Sequence, residues 1–148
     1  MKNTPYTIYL ADDDEDDRQF FEDVIEDLSD EIALRIFDTG IDLLQYLRNS
    51  SVKMPDLIFL DLNMPIMDGE ECLSEIRALK SSEELPVIIY STAIDFYKAQ
   101  RFRDAGANLY LKKPDKFEAL KLAVANCIEH FKISGTKPGE KNNFIVQL

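Results

Sequence analysis

Three short apolar segments of this chain each end in a polar residue, and this repetition restricts the fold more than any other feature. The segments are residues 8–11, 57–60 and 87–90, and the polar residues that follow them are Asp12, Asp13, Asp61 and Ser91. Buried parallel strands that stop at the rim of an α/β sheet leave this pattern. Ligand sites of open α/β sheets lie at those carboxyl ends. If the three strands are neighbours, the polar side chains meet in one patch, which would bind a divalent cation.

The rest of the chain alternates between short apolar segments and stretches with helical periodicity. The predicted strands are residues 7–11, 33–37, 57–60, 87–90 and 108–111, and the predicted helices are residues 15–28, 41–48, 70–79, 96–105 and 116–131. Five βα units in succession predict an α/β fold with a parallel sheet and helices on both faces, because right-handed crossovers allow little else. A length of 148 residues fits one domain with one core.

The C-terminal end departs from this alternation, so we expect a domain over residues 1–132 and a separate tail over residues 133–148. The stretch 134–139 has the composition of a flexible link. The apolar stretch 144–148 is either a disordered terminus, a segment docked on a domain, or a strand that binds a partner. Docking on its own or a sister domain is favoured, because an exposed apolar run promotes aggregation.

Composition excludes several classes of function. The net charge of −11 disfavours direct binding to nucleic acid or to an anionic membrane, since both require a basic face. No apolar run approaches eighteen residues and the N-terminus lacks a signal-peptide hydrophobic region, so we expect a cytoplasmic protein. Cys72 and Cys127 lie in predicted helices without metal-ligand or CxxC spacing, which indicates reduced core residues.

The residue types at the predicted rim suit phosphoryl transfer. Three carboxylates within a few ångströms repel one another by about 4 kcal/mol per close pair, so a cation must offset them. Oxygen ligands with open positions for water suit Mg²⁺, and Lys113 would place an ammonium at the same rim. Ser91 adds a hydroxyl donor. Asp61 stands alone on the middle strand and is the best nucleophile, so the groups together describe a phosphoryl acceptor site.

Simpler roles exist for each residue taken alone. A lone aspartate at a strand end is most often a helix cap or a turn former, and a lone lysine is most often solvated. Independent capping roles do not predict that all five groups occur at strand ends. Within the acidic run 12–17, the first two residues belong to the strand end, whereas residues 14–17 are expected to cap and charge the first turn of the next helix.

At these residues the chain resembles the receiver domains of two-component response regulators, of the stand-alone single-domain type. The resemblance covers about residues 7–131 and depends on Asp12-Asp13, on the string DLNMPIMDG at residues 61–69, and on Lys113-Pro114. It implies a flavodoxin-like, doubly wound sheet of five parallel strands in the order 2-1-3-4-5 with five helices. No output domain is expected, so signalling would pass through another protein or a phosphorelay.

The resemblance also implies roles for single residues in the acceptor site. Asp61 would accept a phosphoryl group from a histidine kinase or phosphotransfer protein, and Lys113 would pair with the phosphoryl oxygens. Asp12, Asp13 and Asp61 would bind Mg²⁺ together with the backbone carbonyl of Asn63. Slow hydrolysis of the phosphorylated form would reset the switch.

A hydroxyl and an aromatic residue would carry the switch outward. The family's usual spacing favours Ser91 as the switch hydroxyl, with Thr92 as the alternative. Tyr110 matches the aromatic switch position and would rotate into the space that Ser91 leaves. This rotation would alter a partner surface whose candidate residues are Phe96, Tyr97, Lys112 and Phe117. Core packing is the simpler expectation for Phe96 and Phe117.

The implied function is thus a Mg²⁺-dependent signalling switch that is not itself an enzyme and acts as a monomer or weak dimer through protein contacts. Two alternatives remain open. One is a receiver fold used as a docking module without phosphorylation. The other is a haloacid-dehalogenase-like phosphatase, which normally has a second aspartate two residues after the nucleophile, where this chain has Asn63.

Overall fold

Strands and helices alternate along the chain in the computed structural model, which describes residues 5–49, 51–134 and 144–147. The strands are β1 (Tyr6–Ala11), β2 (Ile32–Phe37), β3 (Leu57–Asp61), β4 (Val87–Ser91), β5 (Leu109–Lys112) and β6 (Ile145–Val146). The helices are α1 (Glu15–Leu28), α2 (Gly40–Leu47), α3 (Gly69–Leu79), α4 (Phe96–Asp104) and α5 (Phe117–Ser134). Every predicted helix and strand is present, with bounds that differ by a few residues.

The sheet is parallel throughout, and its strands lie in the order β2-β1-β3-β4-β5-β6. The doubly wound topology, the five helices and the order of the first five strands are as predicted. The five predicted strands are all present, and the tail adds one short strand, β6, beside β5. A strand of two residues is too short to produce a periodic pattern, so the apolar stretch 144–148 favoured docking without indicating a strand beside β5.

The described part of the tail is docked on the sheet of its own chain. Ile145 lies opposite Tyr110 in the parallel pairing of β6 with β5. The backbone N–H of Tyr110 donates a hydrogen bond of 2.9 Å to the carbonyl of Phe144. The side chain of Phe144 is only 2% exposed. The tail strand therefore covers the edge of β5 and adds an aromatic ring to the core.

The predicted boundary between domain and tail falls inside a helix. α5 continues to Ser134, two residues beyond the predicted limit at residue 132. The predicted flexible link overlaps the end of this helix at residue 134, and its remainder, residues 135–139, lies outside the described residues. Helical structure therefore extends further toward the tail than the composition of the link indicated.

Both faces of the sheet are covered by helices, so the sheet separates two apolar cores. α1 and α5 pack on one face, with Phe21 and Val124 among the buried residues, and α2, α3 and α4 pack on the other, with Leu73 and Phe102. All residues of β3 and β4 are buried, which explains why these strands are continuous apolar runs in the sequence. Within the described residues, no helix combines the length and the apolar character needed to cross a membrane.

Four helices begin with a side chain that accepts a hydrogen bond from a backbone N–H of the first turn. These N-cap residues are Asp14, Thr39, Asp68 and Asp95. At α3 the cap is reciprocal, since the carboxylate of Glu71 accepts in turn from the N–H of Asp68. The caps define where each helix starts and therefore how close its first turn lies to the carboxyl rim of the sheet.

Phe144→Ala is expected to lower the free energy of unfolding by about 3 kcal/mol, because it removes a buried aromatic side chain. Urea denaturation followed by circular dichroism measures this difference. Phe96→Ala is the matched control: Phe96 is 62% exposed on α4, so its loss should change the free energy by less than about 0.5 kcal/mol. Identical unfolding curves for Phe144→Ala and the wild type would mean that the tail contributes nothing to the folded core.

Candidate functional site

The carboxyl ends of β1 and β3 bring three aspartates together. The two strands are neighbours with Ala11 opposite Leu60, so Asp12 and Asp61 leave the sheet side by side. One carboxylate oxygen from each of Asp12, Asp13 and Asp61 lies within 4.8 Å of the other two. Asp12 and Asp61 are 0% and 4% exposed, whereas Asp13 is exposed to solvent. The three predicted carboxylate ligands therefore form one cluster that is open on a single side.

Lys113 places its ammonium group among these carboxylates. It follows β5, and its backbone N–H donates a hydrogen bond of 2.6 Å to the carbonyl of Ser91 at the end of β4. Its Nζ atom lies 2.8 Å from Asp12, 2.8 Å from Asp17 and 3.7 Å from Asp61. The lysine side chain is only 8% exposed, so solvent screens these charge interactions weakly.

The carboxylate cluster fits a hard divalent cation. The contact of Lys113 with Asp12 Oδ2 is an ion pair without hydrogen-bond geometry, so this buried oxygen has no hydrogen-bond donor among the described residues. Oxygen is the ligand atom that Mg²⁺ prefers, and the exposed side of the cluster leaves room for water. Asp12, Asp13 and Asp61 could therefore bind Mg²⁺. The peptide of Asn63 is adjacent, since its N–H donates to Asp61 Oδ1 at 3.3 Å.

Burial and mutual charge shift the ionisation of the central groups. Burial is the largest influence on Asp61 and raises its pKa to about 7, with a further increase from Asp12, although Lys113 and the N–H of Asn63 act in the opposite direction. For Lys113, burial by itself lowers the pKa, but the negative carboxylates of Asp12 and Asp17 outweigh burial and raise the pKa above the ordinary value. Lys113 is therefore a protonated ammonium at neutral pH, and burial together with the neighbouring Asp12 disfavours the charged form of Asp61.

The two candidate hydroxyls differ in exposure. Ser91 is the last residue of β4 and is 3% exposed, whereas Thr92 is the first residue of the following loop and is exposed. Both line a cleft of about 290 Å³ beside the carboxylate cluster. Other residues of the cleft include Leu62, Asn63, Asp95 and Tyr110. The cleft lies between the loop that follows β3 and helix α4, so a displacement of the β4–α4 loop would change the shape of the cleft.

Tyr110 is already buried in this structure and connects β5 to the β4–α4 loop. Its side chain is 0% exposed. The hydroxyl accepts a hydrogen bond of 2.9 Å from the N–H of Asp95 and donates one of 3.4 Å to the carbonyl of Ala93. Its ring contacts Phe102 of α4 edge-on, with 5.3 Å between the centroids. A shift of the loop after Ser91 would therefore act directly on Tyr110.

The aromatic residues near α4 and α5 divide into exposed and packed positions. Phe96 is 62% exposed and Tyr97 is fully exposed at the start of α4. The expectation that Phe96 packs in the core was therefore wrong. Phe117 is packed as expected, since its ring lies 6.2 Å from that of Phe20 on α1. Phe96 and Tyr97 form an uncovered aromatic pair close to the loop that Tyr110 contacts.

Asp17 is a site residue that the sequence analysis missed. It was expected only to charge the first turn of α1, but its carboxylate accepts a hydrogen bond of 2.8 Å from the ammonium of Lys113. Asp14 does act as the predicted N-cap, since its carboxylate accepts from the N–H of Asp17. Helical spacing contained the missing signal: Asp17 precedes Phe21 by four residues, which places it on the inward face of α1.

A strained turn lies in the loop that follows β3. Ile66 has a φ of 70°, and the N–H of Met67 donates to the carbonyl of Pro65 at 2.7 Å. A hydrogen bond across one residue with positive φ is a γ-turn, which is uncommon and strained for a β-branched residue. Ile66 is 86% exposed, so no packing of its side chain accounts for this conformation.

Gly69 lets α3 start directly against the end of β3. Its N–H donates a hydrogen bond of 2.8 Å to the carbonyl of Leu62. A Cβ atom at this position would lie 2.4 Å from the carbonyl oxygen of Asp61 and 2.7 Å from the Cα atom of Leu62. Both neighbours are backbone atoms that cannot rotate away, so the position of Asp61 depends on the absence of a side chain at residue 69.

Comparison with known proteins identifies relatives over most of the chain. A family model described as the response regulator receiver domain matches residues 8–125. The chain is 31% identical over 130 residues to the sensor histidine kinase CheAY of Helicobacter pylori, which covers 86% of this chain but only 16% of that protein. It is 28% identical over 115 residues to the response regulator Rcp1 of Synechocystis, which covers 75% of this chain and 78% of Rcp1.

Solved structures match over an even larger part of the chain. The phosphorylated cyanobacterial phytochrome response regulator RcpA has a TM-score of 0.76 and 27% identity, covering 92% of this chain and 99% of RcpA. The Mn²⁺-bound form of response regulator Rcp1 has a TM-score of 0.73 and 26% identity, covering 92% of this chain and 100% of Rcp1. These matches concern nearly the whole chain and not an isolated segment.

Asp61→Asn is expected to stabilise the protein at pH 8 in EDTA by about 2 kcal/mol. The folded-state pKa of Asp61, about 7, lies above its ordinary value of 3.8, so the stability that the protonated group contributes is complete below about pH 4 and is lost as the pH rises through 7. Asparagine is neutral throughout, so the gain should be large at pH 8 and small at pH 4. Thermal and urea unfolding at both pH values measure it.

The control for this charge change is Asp16→Asn, which removes an exposed carboxylate from the first turn of α1. It should change the free energy of unfolding by less than about 0.5 kcal/mol at either pH. Equal stability of Asp61→Asn and the wild type at pH 8 would contradict a raised pKa of Asp61.

Gly69→Ala is expected to destabilise the protein by about 2 kcal/mol or more, because the new methyl group collides with backbone atoms. It should also weaken Mg²⁺ binding, measured by calorimetry, because Asp61 is displaced. Gly40→Ala is the matched control at the first position of α2, where a Cβ atom would approach Sγ of Cys72 at 3.2 Å. Equal effects of the two substitutions on Mg²⁺ binding would contradict the role given to Gly69.

Proposed function

This chain belongs to the response regulator receiver domains of two-component signal transduction, as its motifs predicted, and we propose that it is a phosphorylation-dependent switch with Asp61 as phosphoacceptor. The observation that carries the proposal is the position of this carboxylate. Asp61 ends the middle strand β3, is 4% exposed, and lies between two further aspartates and the ammonium of Lys113. Burial excludes most solvent from the acceptor, and the surrounding charges suit an anionic phosphoryl group.

Transfer of the phosphoryl group needs little covalent chemistry from the protein itself. An oxygen of Asp61 forms a bond to the phosphorus of a phosphohistidine on a histidine kinase or phosphotransfer protein. The P–N bond of the donor breaks, and its electron pair remains on the imidazole, which leaves with a proton on its other nitrogen. The product is an acyl phosphate on Asp61. Positioning and charge neutralisation supply most of the catalysis in such transfers.

Two sources of positive charge serve the transfer. Asp12, Asp13 and Asp61, with the backbone carbonyl of Asn63, are the proposed ligands of Mg²⁺. When bound, Mg²⁺ neutralises the charge that gathers on the phosphoryl oxygens. Lys113 supplies a fixed positive charge from its position 3.7 Å from Asp61. Slow hydrolysis of the acyl phosphate resets the switch.

Phosphorylation changes the charge on Asp61 from one negative unit to roughly two. The hydroxyl of Ser91, or that of Thr92 as the alternative, donates a hydrogen bond to the new phosphoryl oxygens. Moving either residue pulls on the β4–α4 loop, which is bonded to the hydroxyl of Tyr110 through Asp95. A change from mostly inactive to mostly active needs about 5.5 kcal/mol of differential stabilisation. Two or three charge-assisted hydrogen bonds supply a similar amount, at roughly 1.5–3 kcal/mol each.

The signal passes to another protein through the surface that includes the start of α4. Phe96 and Tyr97 are exposed there and directly follow Asp95, the residue that binds the hydroxyl of Tyr110. Lys112 is exposed at the end of β5 on the neighbouring element. Aromatic residues are enriched at protein interfaces. A shift of the loop would reorient this pair and change the affinity for a downstream protein.

The wild-type chain is expected to acquire one phosphoryl group from acetyl phosphate or phosphoramidate in the presence of Mg²⁺. Intact-protein mass spectrometry measures the fraction that is labelled. Asp61→Asn and excess EDTA should each reduce labelling by at least about 100-fold, because the first removes the nucleophile and the second removes the cation. Asp16→Asn is the matched control and should be labelled like the wild type.

The same experiment separates the proposed switch from its two alternatives. Absence of labelling under all conditions would contradict the switch and favour a phosphorylation-independent docking module. Rapid release of phosphate from several phosphoesters without stable labelling would favour a phosphatase, although Asn63 stands where a haloacid-dehalogenase-like enzyme normally has its general acid. Labelling that persists in Asp61→Asn would contradict the assignment of the acceptor residue.

A further inference from the structure

We propose that Asp17 is a positioning residue that binds the ammonium of Lys113 in the unphosphorylated state and competes with the phosphoryl group on Asp61 for it. This inference rests on the proposed function of Asp61 as phosphoacceptor. Asp17 touches neither the acceptor nor the carboxylate cluster in the described contacts, and it acts only through the lysine. Its effect is therefore on the balance between the two states of the switch and not on the transfer reaction itself.

The geometry around the ammonium favours Asp17 over the other carboxylates. The distances from Lys113 Nζ to Asp12 and Asp17 are both 2.8 Å, and the distance to Asp61 is 3.7 Å. Among the described residues, only the contact with Asp17 has the geometry of a hydrogen bond to this ammonium. The lysine is therefore bound toward α1 and is too far from Asp61 for a hydrogen bond.

Local structure places Asp17 at this position. The N–H of Asp17 donates to the N-cap side chain of Asp14 at 3.0 Å, which orders the first turn of α1. One turn later, Phe21 packs on Tyr90, with 5.7 Å between the ring centroids. The ammonium of Lys113 lies 5.2 Å from the centroid of the same Tyr90 ring. Phe21 and Lys113 thus both contact the ring of Tyr90, and Asp17 reaches the lysine from the first turn of α1.

A phosphoryl group on Asp61 creates a stronger partner for the lysine on the other side of the site. The group brings roughly two negative charges and three acceptor oxygens close to an ammonium that already lies near Asp61. Lys113 must then weaken or give up its bond to Asp17. The carboxylate of Asp17 therefore stabilises the unphosphorylated arrangement through its bond to Lys113. Removing the charge of Asp17 should therefore favour the phosphorylated state.

Partial exposure of Asp17 limits the size of the effect. Its side chain is 35% exposed, compared with 8% for Lys113, so solvent screens the ion pair on one side. Pairs of this kind contribute modestly to stability. We therefore expect neutralisation of Asp17 to increase the affinity of the site for a phosphoryl analogue by about fivefold. The same change should lengthen the lifetime of the phosphorylated form.

The test uses fluoroberyllate, which mimics a phosphoryl group on a carboxylate, with Mg²⁺ and the full chain. Titration followed by backbone amide shifts in NMR gives the dissociation constant. Asp17→Asn should bind the analogue about fivefold more tightly than the wild type. Asp17→Glu retains the charge and should restore much of the wild-type affinity. Asp16→Asn removes an equal charge from the same turn and should differ from the wild type by less than about twofold.

Action through Lys113 is tested by a double-mutant cycle. In a Lys113→Gln background, Asp17→Asn should have no effect on the affinity for fluoroberyllate, because the shared partner is absent. The ammonium resonance of Lys113 provides a second measurement in the folded single variants, and it should shift in Asp17→Asn but not in Asp16→Asn. Equal effects of the Asp16 and Asp17 substitutions, or an effect of Asp17 that persists without Lys113, would overturn the inference.

The fluoroberyllate titration distinguishes an error in the role of Asp17 from an error in the role of Asp61. A wild-type chain that binds no fluoroberyllate would overturn the assignment of Asp61 and, with it, the role of Asp17. A wild-type chain that binds the analogue while Asp17→Asn binds it with unchanged affinity would overturn the role of Asp17 alone.

Discussion

Unbalanced negative charge at the carboxyl rim of the sheet is the constraint on which the rest of this structure depends. Asp12, Asp13 and Asp61 place carboxylate oxygens within 4.8 Å of one another, and two of these residues are almost fully buried. Like charges at such distances repel by about 4 kcal/mol per pair at an effective dielectric near 20. Lys113 offsets part of this repulsion and is itself shared with Asp17. A divalent cation bound among these carboxylates would relieve the remaining repulsion, which supports the proposed Mg²⁺ site.

The surrounding fold maintains this strained cluster by rigid backbone contacts. β1 and β3 are adjacent, so their ends cannot separate without breaking the centre of the sheet. Gly69 brings the first turn of α3 onto the backbone of Asp61, and the capping box of Asp68 fixes where that helix begins. On the other side, Tyr110 ties the β4–α4 loop to β5 through its hydroxyl. Asp61 is therefore held by rigid elements, while the loop after Ser91 is linked to Tyr110 by single hydrogen bonds that are easier to rearrange.

The tail strand connects the C-terminus to the same region. Phe144 is buried, its carbonyl accepts a hydrogen bond from the N–H of Tyr110, and the two rings lie 6.3 Å apart. Tyr110 is thus packed between Phe102 of α4 and a residue of the tail. The edge of β5, which would otherwise expose unpaired backbone groups, is covered by β6. A segment that looked separate from the domain in the sequence therefore contributes to the core beside the proposed switch residue.

The sequence by itself determined the helices, the first five strands and the meeting of Asp12, Asp61 and Lys113. Apolar runs and helical periodicity are local properties of the sequence, and the carboxyl ends of parallel strands lie at the same edge of the sheet. It favoured docking of the apolar tail but could not show that the tail forms β6, since two residues leave no periodic pattern. It assigned Asp17 to the surface, since an acidic helix start is usually solvated. Only the tertiary structure decided those points. Which side chain reaches a shared ammonium, and which strand covers an open edge, depends on distances between elements that lie far apart in the sequence.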